Sequence, residues 1–206
     1  MISKLENRIQ WVAQKIFNYF YEKKLQKRLK NDNFTILCSN CMGGVIYHRL
    51  NKKFLSPTIN LWMHQPDFLK FVMNLDKYIS EELEFVKTEY EYPVGKLGDV
   101  RIYFNHSKSE AEARESWNRR KERIQYDNLY IIMYERDGIT KDDILRLNQV
   151  ICKNKIVFSE KEYKDIDYVM TIKPTSKLFG EQYLDKDWLG MRSFEKHFDF
   201  VNWLNT

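Results

Sequence analysis

No stretch of this 206-residue chain approaches the roughly 18 consecutive apolar residues of a membrane-spanning helix. Cysteine is scarce, with only Cys38, Cys41 and Cys152. An odd count and no signal peptide argue for reduced thiols in the cytoplasm rather than a disulfide framework. No second pair of Cys or His has the spacing of zinc ligands. There is no G-x-x-x-x-G-K-[ST] loop and no complete G-x-G-x-x-G, so the common nucleotide cradles are missing and no cofactor is called for. Internal repeats, low-complexity tracts and linkers are absent as well.

What is present is the composition of an ordinary folded chain, 43% hydrophobic and 31% charged. The length suits one domain with a sizeable core. The net charge is +5 but is unevenly placed. Residues 1–30 carry eight Lys or Arg against Glu6 and Glu22, a net +6, and leave −1 for the other 176 residues. A neutral body argues against nucleic acid, and the basic surface belongs to one terminal segment.

That segment, 1–30, reads as one basic amphipathic helix preceding an α/β domain over 31–206. Ile2, Leu5, Ile9, Val12, Ile16 and Tyr19 recur every three or four residues and form one apolar seam, widened by Trp11, Phe17, Phe20 and Tyr21. The seam fits packing on the domain or on a second copy of the chain. It equally fits an anionic membrane surface, with the aromatic face down and lysines toward headgroups.

Beyond Asn31-Asp32-Asn33, a turn, strands and helices alternate. Strands are expected at Phe34–Leu37, Thr58–Met63, Val100–Phe104, Leu129–Tyr134, Ile156–Phe158 and Tyr168–Ile172. Helices are expected at 43–50, from Pro66 to Ile79, at 109–124, from the Thr140 cap to Val150, and at 194–204. This alternation predicts a single three-layer α/β domain with a mostly parallel sheet, whose ligands sit beyond the carboxyl ends of the strands.

Cys41 stands at such a place. The run Phe34-Thr-Ile-Leu-Cys-Ser-Asn-Cys-Met-Gly-Gly reads as strand, tight turn and helix start. Amides and dipole at a helix start favour a thiolate there. Cys38-Ser-Asn-Cys41 is formally a C-x-x-C, but Cys38 reads as a small buried hydrophobe and the redox reading is weak. His106, just past the Val100–Phe104 strand, is the strongest partner for a nucleophile–base pair with Cys41, although a polar loop histidine explains it equally well. His64 is placed to reach the same crevice, while His48 and His197 read as packing or surface residues. Gly43 and Gly44 permit either a ligand near backbone amides or close helix–strand packing. Arg120 and Arg123 share a helix face that suits a diphosphate or a carboxylate, although a solvated face is the usual explanation. Trp117 lies on the same helix, and Asp127-Asn128 make a turn before the next strand.

Several of these strings occur together in one known family. Residues 34–44, Leu55-Ser-Pro-Thr58, Tyr92-Pro-Val-Gly95 with Asp99, His106, and Trp117-x-x-Arg120-x-x-Arg123 followed by Asp127-Asn128 appear in order. The chain resembles a bacterial domain-of-unknown-function family described as exopolysaccharide or capsule biosynthesis proteins. The resemblance spans roughly residues 30–205. It marks Asn40, Cys41, Gly43 and Gly44, and Trp117 through Asn128, as candidate catalytic or substrate-binding positions. Three positions depart from the family pattern. Cys38 and Ser39 stand where Ser and Asn are usual, and Met42 replaces a common Trp. The resemblance implies a transferase at the cytoplasmic membrane face, acting on a sugar nucleotide or a lipid-linked saccharide with Cys41 and His106 as catalytic residues. The alternative is a non-catalytic sugar-binding or assembly protein of the same pathway.

Overall fold

The computed structural model of the protein describes residues 4–172 and 182–206. The N-terminal helix α1 (Lys4–Arg28) leads into strand β1 (Thr35–Cys38) and helix α2 (Met42–Arg49). Ile2, at the head of the seam, lies outside the described residues. Helices α3 (Gln65–Met73) and α4 (Leu75–Ser80) follow, then strands β2 (Glu84–Val86), β3 (Val94–Leu97) and β4 (Val100–Tyr103). Helix α5 (Glu110–Lys121) precedes β5 (Leu129–Tyr134), α6 (Lys141–Arg146), β6 (Asn154–Ser159) and β7 (Val169–Thr171). Two short helices, α7 (Ser193–His197) and α8 (Phe200–Leu204), close the chain.

The architecture is α/β. Strands β1, β5, β6 and β7 form a four-stranded sheet in the order β1-β5-β6-β7, with every pairing parallel. All six residues of β5 are buried, as a parallel strand covered on both faces requires. Successive side chains serve two cores. Leu37, Ile131 and Met133 join Phe68, Val72 and Trp117 on one side. Ile36, Cys38, Ile132 and Tyr134 join Ile46, Phe194 and Val201 on the other.

The structure corrects several sequence expectations. β4 belongs to a separate antiparallel sheet, β2-β3-β4, whose first two strands the sequence did not announce. Gly95 lets that sheet close, since a Cβ there would meet Leu83 Cδ1 at 2.6 Å and Phe104 Cε2 at 2.9 Å. No strand forms over 58–63. Asn60 takes φ +57°, which ends any extended run, and Trp62 alone bridges, to Tyr103. The helix expected through Ile79 breaks at Asn74 (φ −133°, ψ 45°). The closing helix breaks at Phe198, which is extended, and Asp199 accepts from the Asn202 amide to start α8.

As the edge strand, β1 needs partners for its free backbone groups. Side chains supply them. The Cys38 amide donates to Thr58 Oγ1 (3.0 Å) and the Ile36 amide to Tyr47 Oη (3.2 Å). Thr35 Oγ1 donates to the Leu55 carbonyl (2.8 Å). The 54–60 loop is thereby stitched to the β1 edge.

α1 docks in an unexpected orientation. Gln10 and Gln14 donate to the Trp188 carbonyl, and Asn18 to that of Leu189. Glu22 pairs with Arg49 Nη1 at 2.9 Å. The docked side mixes these polar groups with Tyr21 and Leu25, which pack on the core, while Leu5, Ile9, Val12, Ile16 and Tyr19 are 47–67% exposed.

Candidate active site

Cys41 ends the turn from β1 and stands as the residue before α2, at the carboxyl end of the parallel sheet. The Met63 amide bonds to the Ser39 carbonyl (3.0 Å), and Trp62 pairs on both sides with Tyr103 (3.0 Å each). These bonds tie β4 to the end of β1. His106, three residues past β4, lands beside the cysteine, with Nε2 3.4 Å from Cys41 Sγ. The structure thus brings together the thiol and the imidazole singled out in the sequence, although β4 is no part of the parallel sheet.

The thiol is not the pre-formed thiolate expected at a helix start. The Cys41 side chain makes no capping hydrogen bond. Its pKa is raised, because burial disfavours the charged form, and the nearby Arg192 guanidinium opposes that shift. Arg192 is 151 positions away in the chain, so no spacing pattern could announce it.

Behind Cys41 lies a buried polar knot. Asn40 Oδ1 accepts from the Met42 amide (2.9 Å), from Cys38 Sγ (3.2 Å) and from Tyr134 Oη (3.2 Å). The Met42 N–H fixes which end of the amide is oxygen. Asn40 Nδ2 is buried and has no hydrogen-bond partner among the described residues. Such a donor costs about 1–3 kcal/mol, a cost that an acceptor on a bound molecule would relieve. Fully buried Gln65 braces the turn, donating to Ser39 Oγ (2.7 Å) and accepting from the Tyr134 amide (3.2 Å).

The glycines serve packing. A Cβ on Gly43 would meet Cys38 Cβ at 3.3 Å and Ile36 Cγ2 at 3.5 Å, and one on Gly44 would meet Asn60 Oδ1 at 3.0 Å. The Met42 amide is taken by Asn40 and so stays turned from any oxyanion at Cys41.

The other predicted binding residues are placed elsewhere. Trp117 is core, 1% exposed, against Phe71. Arg120 Nη1 donates to the Ile59 carbonyl (2.7 Å), and Arg123 Nη1 reaches that of Phe54 (3.5 Å). The arginine pair thus clamps the 54–60 loop. Asp127 and Asn128 lie before β5, at the amino ends of the strands, where Asn128 exchanges hydrogen bonds with Asn31. His64 faces Asp137 at 3.5 Å and contacts the Trp62 ring edge-on. Trp62 stacks on Tyr103 at 3.7 Å, and half-exposed Tyr90 meets Tyr103 edge-on. The sequence did not single out this aromatic group on the strand that delivers His106. Among the described residues no cluster of three His, Cys, Asp or Glu is placed to hold a metal ion. A cleft of about 760 Å³ along β6 and β7 contains neither Cys41 nor His106.

A profile of the family described as a domain of unknown function, DUF1919, matches residues 12–205. The chain belongs to the DUF1919 family. The match begins within α1, so that helix is partly inside the DUF1919 unit. The chain is also similar, at 38% identity over 200 residues, to an uncharacterized protein of Haemophilus influenzae, covering 96% of this chain and 97% of that one. The two chains thus match over nearly their whole lengths.

Proposed function

We propose that this DUF1919 protein is a cysteine-dependent transferase acting on an activated or lipid-linked saccharide in the assembly of a bacterial surface polysaccharide. The observation that carries the chemistry is the 3.4 Å approach of His106 Nε2 to Cys41 Sγ at the carboxyl end of a parallel sheet. The pathway rests on the family resemblance of the motif strings alone.

Burial holds Cys41 as a thiol, so the imidazole works as a general base at the moment of attack. With Nε2 unprotonated, His106 takes the thiol proton while Sγ bonds to the carbonyl carbon of an acyl donor. The bond from that carbon to the leaving oxygen breaks, and the leaving oxygen takes the proton from His106. A saccharide hydroxyl then attacks the thioester, His106 accepts its proton, and the departing sulfur recovers it. Acyl transfer suits a thiol better than glycosyl transfer, which usually relies on carboxylates. Asn40 Nδ2 is the unpaired donor nearest in sequence to the thiol, and Arg192 is the cation favouring negative charge there.

A chromogenic ester tests this reading. Mixing with p-nitrophenyl acetate is expected to release a burst of one nitrophenolate per chain, with the acetyl group on Cys41. His106→Ala is expected to slow the burst by about 100-fold or more. An unchanged burst rate in His106→Ala sinks the nucleophile–base assignment. The second reading, a non-catalytic saccharide-binding protein, is favoured by the Trp62–Tyr103 stack with Tyr90 at its edge. It predicts saccharide binding that Cys41→Ser leaves intact and Trp62→Ala abolishes.

A further inference from the structure

α1 packs Tyr21 and Leu25 on the core but leaves its longest apolar seam outside. Gln10, Gln14, Asn18 and Glu22, spaced by four, face the domain and are held there by hydrogen bonds and an ion pair. At about 100° per residue the seam of Leu5, Ile9, Val12, Ile16 and Tyr19 lies nearly opposite. Phe20 on its flank is 66% exposed. A contiguous apolar stripe of this kind on a folded protein marks an interaction surface.

Charge decides the occupant. Continuing the seam from Tyr19 by steps of four reaches Lys23 and Lys27, so cations stand on the stripe itself at its carboxyl end. Lys4, Arg8 and Lys15 lie along one flank. Lys15 sits over the Trp11 ring at 5.6 Å and Lys23 over Tyr19 at 5.9 Å, each ammonium beside an aromatic. Pairing this stripe with its own copy would bring two +6 segments together and bury lysines at seam positions, which costs stability. Glu22, one of only two acids in residues 1–30, is already engaged with Arg49. An anionic lipid surface satisfies both features, since aliphatic and aromatic groups enter the acyl boundary while lysines reach the headgroups. We propose that α1 seats the protein flat on an anionic bilayer through Leu5, Ile9, Val12, Ile16, Tyr19 and Phe20, with Lys23 and Lys27 binding the headgroups.

The placement also orients the rest of the molecule. A cleft of about 600 Å³ runs between α1 and α2, lined by Lys15 and Tyr19 on one wall, by Val45 and His48 on the other, and by Arg192. Neither Cys41 nor His106 lines this cleft. Lipid binding by α1 does not rest on the transferase reading.

Flotation of the full chain with vesicles tests the proposal. The chain is expected to float with phosphatidylglycerol-containing vesicles and to float far less with pure phosphatidylcholine. Raising salt from about 0.1 M to about 0.5 M is expected to weaken the binding. Ile9→Glu/Ile16→Glu and Lys23→Glu/Lys27→Glu are each expected to reduce the bound fraction at least about tenfold. All four side chains lie on the exposed side of α1, so an unchanged circular dichroism melt confirms that the fold is kept. Three results overturn the proposal: no binding to anionic vesicles, equal binding to neutral ones, or a soluble dimer that Ile9→Glu/Ile16→Glu converts to monomer. Cys41→Ser is expected to float like the wild type, which separates failure here from failure of the enzymatic reading.

Discussion

Cys41 is governed by two opposed influences that the structure identifies separately. Burial pushes the thiol above its ordinary range, and Arg192 pulls it back. The sign of a mutation follows. Removing the cation leaves burial unopposed, so the neutral thiol is favoured over a wider pH range. Arg192→Met is expected to move the midpoint of Cys41 alkylation to higher pH, measured with iodoacetamide in a Cys38→Ser/Cys152→Ser background. Arg192→Lys is expected to retain most of the wild-type midpoint. A midpoint that moves down in Arg192→Met contradicts this electrostatic account. The residue-level reading from sequence located both partners of the Cys41–His106 pair but misjudged how the thiol is controlled. It assumed open helix amides, whereas the Met42 amide is turned to Asn40.

At the scale of elements, Leu25 and Tyr21 pack α1 on the core, and one residue of α2 ties down its polar side. Arg49, 8% exposed, donates from Nε to Glu195 Oε1 (2.8 Å) and from Nη2 to Glu195 Oε2 (3.2 Å). Its other contacts reach Glu22 and Asn18 on α1 and the Gly190 carbonyl. Three helices therefore meet at one guanidinium. The Glu195 side chain is fully buried, so removing its partner strands a charge. Arg49→Met is expected to cost about 3–5 kcal/mol in urea unfolding. Arg49→Met/Glu195→Leu is expected to be more stable than Arg49→Met alone, and parity between the two would show that the stranded carboxylate is not the cause. Little of this was legible in the sequence. Periodicity and caps located β5, α5 and the Thr140 capping box, where local pattern and fold agree. The seam of α1 was equally legible, but which side faces the domain depends on Arg49, Trp188 and Leu189, none of them local to it. Strands β2 and β3 were missed because each is short and one of their three residue pairs is Phe85–Gly95, where Gly95 contributes no side chain to a hydrophobic pattern.

At the scale of the molecule, the two cores have no independent support, because one sheet divides its side chains between them. β5 sends Leu129, Ile131 and Met133 to one side and Tyr130, Ile132 and Tyr134 to the other. Its backbone is paired to β1 over Leu129–Ile132 and to β6 over Tyr130–Tyr134. Losing either layer uncovers a strand with no polar face, and neither half keeps a closed core. Trp117 reports the core under α3 and α5, and Trp203 the core under α7 and α8. Unfolding is therefore expected to be one cooperative transition in which both tryptophans change together. Variants retaining only Trp117 or only Trp203 allow this to be read by fluorescence in urea, after each variant is shown to keep the wild-type circular dichroism. Leu37→Ala, which empties space in the Trp117 core, is expected to cost about 2–5 kcal/mol and to lower the midpoint seen by Trp203 as much as that seen by Trp117. Midpoints that separate would mean that the layers melt independently, and that β5 does not couple them.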